Sequence, residues 1–190
     1  MTFPGTAAGI PGRAAAILVL AVAACTVFQE EEPPPQCPRI SILGDAATLT
    51  RFRPGPGRDL TDVLYEGVVT GVTGSCAYGN AGKSANRGLS MKVALVIEAA
   101  RGPANRDGRA AFPYFVGITD SSRNVLNKQR FSVTVVFPGH RTRLVVTDNP
   151  VALEIPMKAG QSGQDFEVFI GFQLSRTELE YNRRARKSVR

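Results

Sequence analysis

Phe131-Ser132-Val133-Thr134-Val135-Val136-Phe137 places an apolar side chain at every odd position, with Ser132, Thr134 and Val136 between them. A pleated strand sends residues i, i+2 and i+4 to one face, so Phe131, Val133, Val135 and Phe137 form a single stripe, whereas a helix would scatter them around its axis. The same period of two recurs in Phe166, Val168, Ile170, Phe172 and Leu174, and at Met91, Val93, Leu95 and Ile97. Stripes of this kind are buried only when another apolar face covers them, which predicts sheet packed on sheet.

Working outward, short β-branched and aromatic runs are punctuated by Gly, Pro, Asn and Asp at strand-length intervals. They predict strands over 39–43, 48–53, 63–78 (with a break at Gly71 or Gly74), 89–99, 112–120, 124–137, 142–146, 151–155 and 165–174. Thr119 to Asn124, Asp148-Asn149-Pro150 and Ala159 to Gly163 supply turn chemistry between them. The expected fold is all-β: an antiparallel β-sandwich of seven to nine strands over residues 37–176, immunoglobulin-like or fibronectin-III-like in style. The chain has no Trp, so the Cys-Trp-Cys core of antibody domains is absent. A β-barrel is the alternative, because patterning does not reveal strand closure.

The two ends of the chain differ from this body. The last ten residues hold five cations (Arg183, Arg184, Arg186, Lys187 and Arg190), and the first 24 hold one, Arg13. Of 23 basic residues, 17 therefore remain between positions 25 and 180, against all 16 acids. The formal net charge of +7 is thus a property of the terminus, and the body lacks the basic face of a nucleic-acid binder.

Residues 1–24 run from a weakly polar start through an apolar stretch beginning at Ala14 to small residues before Cys25, the order of a signal peptide. Ala14 to Ala24 spans 11 residues, whereas a helix needs about 20 to cross a bilayer core. Val22-Ala23-Ala24-Cys25 resembles the lipobox of bacterial lipoproteins, with Val at the position where Leu is commonest. The resemblance implies that Cys25 is alkylated with diacylglycerol and becomes the mature N-terminus, so that lipid is the only attached group expected. One acyl chain anchors marginally, and two or three hold firmly. Thr26 stands where an inner-membrane lipoprotein of this family usually carries Asp, so the resemblance points to the outer membrane, facing the periplasm. An ordinary secretory signal or an uncleaved N-terminal anchor is the alternative. Residues 25–36, with Glu30-Glu31-Glu32-Pro33-Pro34-Pro35, read as a stiff, polar tether between lipid and domain.

With Cys25 lipidated, Cys37 and Cys76 are the two remaining cysteines in an oxidising compartment, and a disulfide between them is expected, with free thiols as the alternative. Closing a loop of this length stabilises by roughly 4 kcal/mol at most. Neither a Cys-x-x-Cys pair nor a histidine cluster is present to suggest a metal site.

Three other features look like chemistry. Ala77-Tyr78-Gly79-Asn80-Ala81-Gly82-Lys83-Ser84 matches a loose nucleotide-binding loop, but a strand rather than the required helix is expected after it. His140, the single histidine, sits in a turn-like Pro138-Gly139-His140-Arg141 with no Gly-x-Ser-x-Gly elbow elsewhere. Glu66, Asp107, Glu154 and Asp165 are acids that nothing in the sequence pairs for hydrolysis. The run 177–190 is expected to leave the domain as a basic tail, with Arg183, Arg184, Arg186, Lys187 and Arg190 available to anionic headgroups or wall polymer.

These features predict a non-catalytic binding or scaffold module of the cell envelope. Its expected partners are the membrane, through lipid, and an envelope protein or anionic polymer; nucleic acid is not expected. An envelope hydrolase or carbohydrate-acting enzyme, and a structural subunit of an envelope assembly, are the other readings.

Overall fold

The computed structural model describes residues 36–79, 88–158 and 160–188. The segments read from the sequence as a signal peptide (1–24), a lipobox ending at Cys25 and a tether to Pro35, the tip of the nucleotide-loop-like segment and Arg190 lie outside the described residues.

Among the described residues nine strands are formed: β1 (Arg39–Ile42), β2 (Thr48–Phe52), β3 (Val63–Tyr78), β4 (Gly88–Arg101), β5 (Arg109–Asp120), β6 (Val125–Val136), β7 (Arg143–Thr147), β8 (Val151–Pro156) and β9 (Phe166–Phe172). One sheet has the order β1-β9-β5-β6; the other runs β2-β3-β4, with β7 and β8 both paired to the far side of β4. Every pair is antiparallel except β1 with β9. This is an all-β sandwich, and the two sheets do not close into a barrel. The last strand lies between the first and the fifth, an order set by β1 running parallel to it along the sheet edge.

The apolar stripes read from the sequence line the interior. Leu89, Met91, Val93, Leu95, Ile97 and Ala99 of β4 face Phe112, Tyr114, Val116 and Ile118 of β5, with Val133, Val135, Phe166, Val168, Ile170 and Phe172 beside them, all buried. Each such side chain stabilises by about 1.5–3 kcal/mol when fully removed from water. Gly67 lets the sheets close over the rings: a Cβ there would come within 2.4 Å of Phe112, which packs on Tyr65 and Phe172 at 5.2 and 5.8 Å between ring centres.

The break expected in 63–78 is a bulge instead. β3 stays paired to β4 along its length, but the register slips between Val69 and Gly71. The extra residue reverses the strand's phase. Val63, Gly67 and Val69 face the core before it, and Val72 and Cys76 face it after, so one 16-residue strand buries an odd stripe and then an even one. On the other side of β4, Val93 pairs with Val151 and Val96 with Thr147, so three steps along β4 meet four along its partner. Pro150 sits in that gap, where a missing N–H interrupts no ladder.

Cys37 and Cys76 form a disulfide, with Cα atoms 5.8 Å apart. Beside it the Tyr78 hydroxyl donates to the Gln36 carbonyl at 2.5 Å and accepts from the Gly163 N–H at 2.7 Å. The start of the domain is thus fixed to the end of β3 by a covalent bond and a hydroxyl.

The C-terminal run departs from expectation. Arg176–Ser188 is an α-helix, α1, packed on β2 and on the turn at 44–46, not a tail leaving the domain. Ser175 and Glu178 cap it reciprocally: the Ser175 N–H donates to Glu178 Oε2 at 2.8 Å, and the Glu178 N–H to Ser175 Oγ at 3.3 Å. Its docked face is small: Tyr181 packs edge-on against Phe52 at 5.4 Å, and buried Asn182 donates to the carbonyls of Asp45 and Thr48 at 3.0 and 2.8 Å.

Between the sheets, Tyr114 is fully buried and donates its hydroxyl to Asp148 Oδ2 at 2.6 Å, in the gap between β7 and β8. Burial, followed by the Asp148 carboxylate, pushes the Tyr114 phenol well above the usual tyrosine range. A raised pKa keeps the proton on the folded form after the unfolded chain has lost it, so this contribution is whole below about pH 10 and is lost as pH rises further. Tyr114→Phe should lower unfolding free energy by about 1.5–3 kcal/mol, the range for a hydrogen bond to a charged group, at neutral pH. Denaturant titrations of wild type and variant at pH 7 and pH 11 should show the difference shrinking at the higher pH.

Candidate functional site

The residues singled out as chemical candidates are not gathered. His140 is exposed in the turn between β6 and β7, where Gly139 takes φ +56° and the Arg141 N–H closes on the Pro138 carbonyl. Glu66 on β3 lies opposite Ala100 of β4, and Glu154 on β8 lies opposite Ser90 at the other end of the same strand, on the order of 30 Å away. Asp107 accepts from the Arg109 N–H in the β4–β5 loop, and Asp165 from the Ser162 N–H before β9. Among the described residues, no group of three or more His, Cys, Asp or Glu side chains is placed to hold a metal ion.

The five C-terminal cations are divided by the helix. Arg183 and Arg186 turn toward the sandwich and clamp the two oxygens of Asp45 at 2.9 and 2.7 Å. The Arg183 hydrogen bond, with help from Arg186, holds the Asp45 carboxyl below the ordinary carboxylate range. Arg184 lines the opposite flank of α1, and Lys187 is exposed. Arg190 lies outside the described residues. The basic run is therefore partly internal structure, and only part of it faces outward.

The Arg184 flank opens into a cleft of about 310 Å³ between α1 and β2. Arg51 and Phe52 come from β2, Arg58 from the loop that follows, and Ser175, Glu178, Tyr181 and Arg184 from the helix end of the chain. Arg51 pairs with the largely buried Glu178 at 3.3 Å. The Arg58 guanidinium is held over the Phe52 ring at 5.4 Å and donates to the carbonyls of Gly55 and Gly57 at 2.9 and 2.6 Å. Neither Arg51 nor Arg58 stood out in the sequence, because nothing local shows that a helix 120 residues later returns to β2; the Ser175-x-x-Glu178 capping box was the available signal.

A second surface is the outer edge of β6. The Phe137 N–H bonds to the Gly108 carbonyl, so odd-numbered residues of β6 exchange backbone bonds with β5. Its even-numbered residues, Lys128, Arg130, Ser132 and Thr134 among them, turn their N–H and C=O groups outward. Among the described residues no strand pairs with that side. Val125, Leu126 and Val136 are exposed along the same strand.

No family model, curated protein or solved structure matches this chain.

Asn182 is a buried polar side chain on α1, and its replacement removes the bonds to two carbonyls. Asn182→Ala should weaken helix docking by about 1–3 kcal/mol. Limited trypsin digestion should then cut at Arg183, Arg184 and Arg186 several-fold faster than in wild type, while the β-sandwich stays intact on the same gel.

Proposed function

We propose that this chain is a non-catalytic binding or scaffold module of the cell envelope, held by lipid on Cys25 at the outer membrane facing the periplasm. Its partner is an extended, acidic segment of an envelope protein that adds to the open edge of β6. The observation that carries this reading is that edge: a 12-residue strand with one side of its backbone unpaired among the described residues. An added strand gains main-chain hydrogen bonds along the edge and takes its selectivity from neighbouring side chains. Lys128 and Arg130 supply the selectivity, since opposite charges across neighbouring strands attract and like charges repel. The same two cations disfavour antiparallel pairing of β6 with a second copy of itself.

The address is supported by the lipobox resemblance and by the Cys37–Cys76 disulfide, a bond that persists in the periplasm and is rare in a reducing cytosol. The rigid sandwich suits a scaffold: its binding edge is built on a central-sheet neighbour, β5, which is itself paired on both sides.

Two experiments test the reading. Cys25→Ser should leave unprocessed precursor and abolish incorporation of labelled fatty acid in cells; persistent labelling would show the anchor assignment to be wrong. Ser132→Pro removes an outward N–H without touching a β5 ladder bond. Crosslinking in intact cells followed by mass spectrometry should lose the envelope partner in this variant, with its thermal stability within a few degrees of wild type. A partner retained at wild-type yield would remove β6 from the proposal.

A further inference from the structure

The cleft between α1 and β2 holds three arginines and one acid. Glu178 neutralises Arg51, its partner at 3.3 Å, and it also caps the helix through the Ser175 N–H. Arg58 and Arg184 line the same cleft, and no acidic side chain pairs with either among the described residues. The Arg51 Nε is buried and has no hydrogen-bond partner. Arg58 is moreover not a loose surface side chain: two glycine carbonyls and the Phe52 ring fix its guanidinium. Three guanidinium groups lining one concave surface against a single acid leave it net positive, which favours an anion there, and fixing one of them beforehand lowers the entropy lost when that anion arrives.

We propose that this cleft binds a phosphate group, carried on a lipid headgroup or on a soluble phosphoester. Guanidinium forks match phosphate oxygens bidentately: Arg184 offers its whole fork, and Arg58, with Nη1 given to two glycine carbonyls, keeps its Nε and Nη2 donors. Hydroxyls of Ser175 and Thr177 in the lining offer further neutral donors. The Phe52–Tyr181 pair gives the organic part of the ligand an apolar wall. Arg183 and Arg186, committed to Asp45, take no part, so of the C-terminal cations it is Arg184 that acts. This site stands independently of the anchor and of the β6 edge, and it survives the failure of either.

The test uses the isotope-labelled full chain in zwitterionic detergent micelles. It is titrated with inorganic phosphate, with glycerol 3-phosphate, and with phosphatidylglycerol added to the micelles. Saturable shifts are expected at the amides of Thr50, Arg51, Phe52 and Glu178, and Arg58→Ala and Arg184→Ala should each weaken binding at least five-fold. Arg123→Ala, on the remote β5–β6 turn, should leave it unchanged. Response to glycerol 3-phosphate but not to phosphatidylglycerol identifies a soluble phosphoester, and the reverse identifies a headgroup. Shifts spread over every cationic surface, equal weakening by Arg123→Ala, or no saturable response to any of the three would overturn the proposal. Since Arg58 and Arg184 are exposed, melting curves of their variants should overlay wild type; should one fold poorly, Arg184→Lys, which keeps charge but loses the fork, must still weaken binding.

Discussion

Six inward side chains of one strand, Leu89, Met91, Val93, Leu95, Ile97 and Ala99, must all be kept from water at once, and the remainder of the fold follows from that demand. β4 is paired on both sides, to β3 along one flank and to β7 and β8 along the other, so its stripe cannot be relieved at an edge. Only a second sheet with a matching stripe covers it. β5 and β9 provide that stripe, and the close approach at Gly67 brings the aromatic rings of the two layers into contact. The strands farther out then have freedom to vary, which is where β6 leaves its edge open and β2 receives the helix.

Strand positions were legible because their physics is local: alternation of side chains and the turn residues between them are written consecutively in the chain. Phe131 to Phe137 reads the same way in isolation as it does inside the sandwich. The bulge in β3 was less legible. Gly71 and Gly74 suggested interruption, whereas the ladder with β4 tolerates one extra residue and uses it to turn the second half of the strand, with Cys76, toward the core. Pairing order was not legible, since placing β9 between β1 and β5 depends on contacts between segments more than 40 residues apart.

The C-terminal helix marks the sharpest difference between sequence and structure. A run so rich in arginine carries too thin an apolar stripe to announce docking, and its binding energy comes from groups that read as solvated: an asparagine meeting two carbonyls, and a lone aspartate held by two guanidinium groups. Docking then sorts the cations by direction. Arg183 and Arg186 become internal fasteners, and Arg184 joins Arg51 and Arg58, residues contributed by a strand and loop far earlier in the chain. The candidate site is thus a product of tertiary structure, and no segment of sequence contains it.

The disulfide between Cys37 and Cys76 also decides how the domain bears load. β1 is a four-residue strand at a sheet edge, held by one neighbour, and a pull from the N-terminal side would peel it first. Because Cys37 precedes β1 and is bonded to β3, tension reaching Cys37 along the chain passes through sulfur into β3, which is laddered to β4 along its length, before it reaches β1. A load entering at Cys37 bypasses the short edge strand.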